Sequence, residues 1–268
     1  MKNYILIDGS YFIFYRVFAL QLWWKNARPD EPLVNPIENE EFVKKFKETF
    51  KSKIQEILKK FKMKDATIIV GKDCFRKNIW RMKLHPKYKE GRNEEKNKEA
   101  NIGNFFALTY GEKLFENAGV QHILEMEEME ADDCLALTAK YLTHKYLDAD
   151  ITIITSDHDY IQLANDRIKL YNLKFKSLLE SKSYCGDPKQ ALFYKIILGD
   201  KSDNIEPVFS KCGIKTAEKY YNDEKLFHQK LALENKTHVY ENNKKLIDFN
   251  EIPSNLVELF YNNILTSL

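Results

Sequence analysis

The sequence predicts an α/β protein: a mostly parallel central sheet flanked by helices, followed by a smaller helical subdomain. Three observations predict it. Short β-branched runs alternate with stretches of helical spacing over the first two thirds of the chain. Acidic residues recur immediately after those runs. Beyond about residue 186 the strand-like runs stop and only short helical patterns remain.

Strands are expected at residues 4–7, 66–70, 119–124, 151–155 and 168–173, where apolar and β-branched residues cluster. Between the first two, Phe42, Val43, Phe46, Phe50, Ile54, Ile57, Leu58 and Phe61 step by threes and fours along one face of a long helix. A second helix is expected from about 131 to 146, with Leu135, Ala139 and Leu142 inward. In the last third, 189–198, 214–221 and 253–265 have helical spacing. The expected division is 1–186 for the α/β unit and 187–268 for the helical one, since 268 residues suit one large domain or one with a small companion.

The most apolar early stretch, 4–24, is interrupted by Asp8 and Arg16 and falls short of the ~18–20 apolar residues a membrane span needs. The cysteines Cys74, Cys134, Cys185 and Cys212 are separated by 60, 51 and 27 residues, which excludes a C-x-x-C zinc or redox motif and fits a reducing compartment. A soluble intracellular protein without a membrane partner is therefore expected.

The acids are the chemically informative residues. Asp8 follows the first strand, Asp73 the second, and Asp157 and Asp159 the fourth; in a parallel sheet these ends share one edge, where ligand crevices form. Glu125, Glu127, Glu128, Glu130, Asp132 and Asp133 crowd the approach to the 131–146 helix. The first three are read as ordinary helix-start and solvent charges. Asp8, Asp73, Glu130, Asp132, Asp133, Asp157 and Asp159 on one edge would repel one another unless hard cations intervened, and oxygen-only donors suit Mg²⁺ or Mn²⁺. Asp200 and Asp203, in a loop after a helix, extend the set to nine. With those nine set aside, 42 basic residues face 31 acids, so a net charge of +2 conceals a basic chain around an acidic pit. Residues 72–92 concentrate the basicity, with Lys72, Arg76, Lys77, Arg81, Lys83, Lys87, Lys89 and Arg92 against Asp73 and Glu90, and with Trp80 and Tyr88 interleaved. Such a segment beside metal ligands suits phosphate binding.

The ordered set Asp8-Gly9-Ser10, Glu130-Ala131-Asp132-Asp133, Thr155-Ser156-Asp157-His158-Asp159 and Gly199-Asp200-Lys201-Ser202-Asp203-Asn204 resembles the 5′-nuclease (flap endonuclease) superfamily, over roughly residues 4–220. It is most similar to the phage and bacterial 5′–3′ exonucleases and the nuclease domain attached to DNA polymerase I. The resemblance implies a PIN-like core with a helical gateway at about 74–117, and two divalent ions, Mg²⁺ or Mn²⁺, about 4 Å apart, that hydrolyse phosphodiesters near 5′ ends without a Ser, Cys or His nucleophile. Asp8, Asp73, Glu130 and Asp132 would hold the first ion; Asp133, Asp157, Asp159, Asp200 and Asp203 would hold or orient the second. Asp73 matches through Trp80-Arg81 and Tyr88-Lys89, which leaves Phe75-Arg76 as a local insertion. By the same resemblance Arg81 and Lys89 steady charge on the scissile phosphate, Tyr88 stacks on a displaced base, and Arg92 lies in the gateway.

Lys211-Cys212-Gly213-Ile214-Lys215-Thr216-Ala217 resembles the family's helix–hairpin–helix turn, which grips duplex phosphates through backbone amides and a bound monovalent cation such as K⁺. Lys211 replaces the first glycine of the usual pair, which shifts weight to the Lys211 and Lys215 side chains beside Gly213 and Thr216. The implied partner is DNA with 5′ flaps, nicks or ends, or an RNA–DNA hybrid, bound by a monomer that meets the replication machinery. Two other readings compete. One is a small-ester phosphohydrolase with an aspartyl nucleophile from Asp157-His158-Asp159; the other is an inactive nuclease-like module that only binds nucleic acid.

Overall fold

A computed structural model describes residues 2–92, 101–181 and 184–268. Five parallel strands form one sheet: β1 (Lys2–Asp8), β2 (Thr67–Gly71), β3 (His122–Leu124), β4 (Ala149–Ile154) and β5 (Ile168–Tyr171), in the order β3-β2-β1-β4-β5. The chain winds to one side of β1 for β2 and β3, then crosses to the other for β4 and β5. The strand order therefore reverses between β1 and β4, the place where a ligand crevice opens at the carboxyl edge. Ile7 is in register with Ile154 and Asp8 with Gly71, which sets the residues after β1, β2 and β4 side by side.

Helix α1 (Gly9–Ala27) starts with no intervening loop, because Asp8 caps it by accepting from the Tyr11 amide at 2.9 Å. That junction needs Gly9: a Cβ there would stand 2.6 Å from the Gly71 carbonyl oxygen and 2.9 Å from the Tyr110 hydroxyl. The long helix α2 (Glu40–Phe61) is capped by the Asn39 side chain and ends at Lys62 in the left-handed region. Its inward Phe42, Phe46 and Phe50 pack on Phe12, Phe105 and Phe115, with Phe12 and Phe50 centroids 4.8 Å apart. This aromatic layer also takes in α4 (Ile102–Gly111) and the short α5 (Leu114–Asn117), and it covers the sheet face that bears Ile5 and Ile7.

Tyr4 and Leu6 alternate to the opposite face, where α6 (Ala131–Lys145) lays Leu135, Ala139 and Leu142 on the sheet. The predicted helical spacings at 189–198, 214–221 and 253–265 become α7 (Pro188–Leu198), α8 (Ile214–Asn222) and α11 (Ser254–Asn263). Two further helices, α9 (Glu224–Leu233) and α10 (Thr237–Ile247), lie between the last two. A separate cluster of Tyr194, Ile197, Phe209, Tyr220, Phe227 and Leu231 gives this region its own core. The chain then returns: Phe249, Ile252, Leu256 and Phe260 join the cluster beneath α6. Among the described residues no helix is long and apolar enough to cross a membrane. Residues 93–100, part of the expected gateway, lie outside the described residues; the flanking α3 (Trp80–Leu84) and α4 are helical.

Candidate metal centre

Asp8, Asp73, Asp132 and Asp157 line one cavity of about 250 Å³ at the carboxyl edge, together with Ser10, Glu130, Lys89 and Arg92. Each carboxylate is aimed by hydrogen bonds, some from its own turn and some from neighbouring elements. Asp8 accepts from Tyr11 N and, at 3.2 Å, from the Thr155 hydroxyl; Asp73 accepts from Ala131 N at 2.7 Å and from Ser10 Oγ. Asp132 accepts from Asp133 N at 2.7 Å, and Asp157 from Asp159 N at 2.9 Å. Among the described residues no lysine or arginine forms an ion pair with any of these four. Burial and the neighbouring Asp73 push Asp8 up to about 7, and burial with Glu130 and Asp133 nearby raises Asp132 well above the usual carboxylate range. Beneath them the fully buried Tyr160 hydroxyl has no hydrogen-bond partner. Oxygen-only donors, mutual repulsion between Asp8 and Asp73, and an orphaned hydroxyl fit hard divalent cations.

A second acid group adjoins the first. Asp159, Asp200 and Asp203 bring carboxylate oxygens within 4.8 Å of one another. Asp159 and Asp200 line a larger cavity, about 660 Å³, which shares Ser156 and Asp157 with the smaller one. Unlike the first group, this one is compensated by the chain itself. Lys195 contacts Asp159 and lies 2.8 Å from Asp200, and Arg92 pairs with Asp203, with Lys89 4.0 Å away. Although burial opposes its charge, the Lys195 ammonium beside it holds Asp200 down at about 2.

Two of the expected ligands are already paired with cations of the chain: Asp133 and Glu130 come within 4.8 Å of Asp132, and Glu130 lines the same cavity, but both hold Arg81, and Glu130 also holds Lys89. Asp133 is fully buried, accepts from Arg81 at 2.8 Å through each oxygen and from Trp80 Nε1 at 2.9 Å, and closes a capping box with Glu130 at the start of α6. Glu130 accepts from Arg81 at 2.9 Å, Tyr88 at 3.2 Å and Lys89. Burial works against its charge, yet Lys89 and Arg81 lower its pKa.

The expected roles of Arg81 and Tyr88 do not match their placement either. Arg81 is 2% exposed and also donates to the Leu246 carbonyl, so it ties α3 to α6 and α10 and does not face a phosphate. Tyr88 is equally buried, its ring among Cys74, Ile79 and Ile196, where no base can stack on it. Lys89 and Arg92 do reach the cavity rim. Lys211 sits at φ +60°, the left-handed conformation suited to the glycine it replaces, and Gly213 caps α8. Lys195 and Tyr160 were missed by sequence reasoning. The available signal for Lys195 was one lysine inside the apolar run Ala191-Leu192-Phe193-Tyr194-Lys195-Ile196-Ile197-Leu198.

An acid-lined crevice at the switch point of an all-parallel sheet, rimmed by cations, defines a metal-dependent phosphodiester hydrolase of the 5′-nuclease class. More narrowly, the chain belongs to the 5′–3′ exonuclease family, whose N-terminal resolvase-like domain matches residues 3–189. A 5′–3′ exonuclease of Buchnera aphidicola subsp. Schizaphis graminum is 29% identical over 222 residues, 81% of this chain and 68% of that protein. DNA polymerase I of Streptococcus pneumoniae R6 is 28% identical over 80% of this chain, which spans only 23% of the polymerase. The fold matches the zinc-bound 5′-exonuclease of phage T5 at TM-score 0.67 and 18% identity, over 99% of both chains. It also matches a bacteriophage T5 flap endonuclease solved as a pseudo-enzyme–product complex with DNA and metal ions, at TM-score 0.69 and 18% identity, over 99% of this chain and 98% of that one.

Proposed function

We propose that the chain is a 5′–3′ exonuclease and flap endonuclease that hydrolyses DNA phosphodiesters near 5′ ends with two divalent ions, Mg²⁺ or Mn²⁺. The observation that supports it best is the set of four aimed carboxylates, free of ion pairs among the described residues, of Asp8, Asp73, Asp132 and Asp157 at the switch point. These four would hold one ion, and Asp159, Asp200 and Asp203 the other. Bound there, the ions would supply activation of water and stabilisation of the leaving 3′-oxygen. The chain's own work is positional. Asp8 and Asp157, at the ends of adjacent strands, fix the crevice floor, while Lys89 and Arg92, held by Glu130 and Asp203, present positive charge where a phosphate enters. Lys211 and Lys215, with the backbone of Gly213 and Thr216, would grip the duplex beyond the cut, together with a monovalent cation such as K⁺. In this reading residues 1–186 supply most of the cutting site, and 187–268 hold DNA and lend Asp200 and Asp203 to the second ion.

The small-ester alternative is disfavoured by its own residues: Asp157-His158-Asp159 follows β4, the fourth strand in sequence, and Asp159 is in contact with Lys195. A 5′-labelled flap duplex incubated with Mn²⁺ tests the proposal. Short labelled products that vanish with EDTA, and no turnover of p-nitrophenyl phosphate, are expected. Cleavage that survives chelation, or hydrolysis of the ester alone, would overturn it.

A further inference from the structure

The two acid groups differ in one respect that acid counting hides. Asp8, Asp73, Asp132 and Asp157 make no ion pair among the described residues, whereas an ammonium already stands between Asp159 and Asp200. Lys195 belongs to α7, five residues before Asp200, and its side chain is about one-fifth exposed. The ammonium thus occupies the space between carboxylates that a divalent ion would need. It also lines the 660 Å³ cavity, which gives the flexible stem room to withdraw.

We propose that Lys195 is a resident counter-ion of the second metal site, and that the second divalent ion binds by exchange, displacing the Lys195 ammonium from Asp159 and Asp200. This rests on the metal-dependent nuclease reading above and adds an order to it: the Asp8 group fills first and tightly, the Asp159 group second and weakly. Bringing a divalent ion to two carboxylates that share one ammonium within hydrogen-bond reach requires breaking that pair, a cost that the Asp8 group, which makes no ion pair among the described residues, does not carry. The chain keeps the second group folded and charge-balanced in exchange for weaker loading.

Mn²⁺ titration of the metal-free full chain, followed by calorimetry and by the spin-resonance signal of free Mn²⁺, tests this. The wild type should show one tight and one weak ion. Lys195→Met should leave the tight ion unchanged and tighten the weak one about tenfold or more, while Lys195→Arg, which keeps the charge, should leave it weak. A weak constant in Lys195→Met within about twofold of wild type, or weaker, would overturn the exchange, as would two equally tight ions in the wild type. If Lys195→Met does not fold, crystals of the wild type soaked in Mn²⁺ decide: Nζ must leave both carboxylates wherever the second ion appears, and joint occupancy refutes the proposal. Absence of any bound Mn²⁺ would instead refute the nuclease reading, so the two failures are distinguishable.

Discussion

Arg81→Met should destabilise the fold rather than disable the chemistry alone. Its guanidinium holds Asp133 through both oxygens at 2.8 Å, reaches Glu130 at 2.9 Å and the Leu246 carbonyl at 2.8 Å, and no part of that arrangement is more than 4% exposed at its side chains. Removing one partner of a buried pair strands the others; such losses run to about 3–5 kcal/mol, because the remaining charge stays desolvated. In a domain of this size that corresponds to a fall in Tm of order 10 °C. Lys83, whose ion pair with Glu128 is 64% exposed on the lysine side, provides the control: Lys83→Ala should cost under about 1 kcal/mol. Denaturant unfolding of both variants, with near-ultraviolet circular dichroism as a second probe, measures the difference. Arg81→Met combined with Asp133→Leu should recover part of the loss by removing the stranded charge. An Arg81→Met protein with wild-type stability but no cleavage would refute this account and return Arg81 to the scissile phosphate.

Further outcomes follow from the site. Asp132→Asn should abolish flap cleavage and leave flap binding near the wild-type value, because Asp132 makes no ion pair that the fold needs; loss of folding in a melting scan, or retained cleavage, would contradict it. Asp8 titrates at about 7 against an ordinary 3.8, so its protonated form is the one the metal-free fold prefers. That contribution is full below about pH 4 and is lost as pH rises through about 7. Bound Mn²⁺ favours the ionised form, so the Mn²⁺-induced rise in Tm should be larger at pH 8 than at pH 6, and equal rises would count against it. Gly9→Ala should impair folding, since its methyl would meet backbone oxygen at 2.6 Å, and soluble yield with a melting curve reports it. A variant as stable as wild type would mean that β1 and β2 separate more easily than their register suggests.

The sheet was legible because a strand buried on both faces reads as a continuous apolar run, as in Tyr4-Ile5-Leu6-Ile7, and because α2 shows its period in phenylalanines alone. Helices α9 and α10 were not, since their inward positions are few and separated by Lys, His, Glu and Asn, and only the tertiary partners Phe209, Tyr220 and Ile196 reveal the buried side. At the site, the edge position of each acid could be read from the strand it follows. Which acids remain free of a cation could not, because that depends on Arg81, Lys89 and Lys195, which arrive from α3, the turn after it and α7.

Helix geometry explains why neighbours in Glu130-Ala131-Asp132-Asp133 have different fates. Glu130 is the N-cap of α6 and Asp133 its third residue, so the capping box turns both toward the helix start, where Trp80 and Arg81 meet them. Asp132 is one residue, about 100° of helix, away from Asp133, and that rotation takes it out of hydrogen-bond contact with Arg81 and into the cavity with Asp8 and Asp73. A motif of three acids in four positions therefore divides into a pair ion-paired by the chain and a single carboxylate, Asp132, that makes no ion pair among the described residues. The same division recurs across the crevice, where Asp159 is ion-paired with Lys195 and Asp157, two residues earlier, makes no ion pair among the described residues. Ion binding is thus encoded less in how many acids the edge collects than in which of them the basic residues fail to reach.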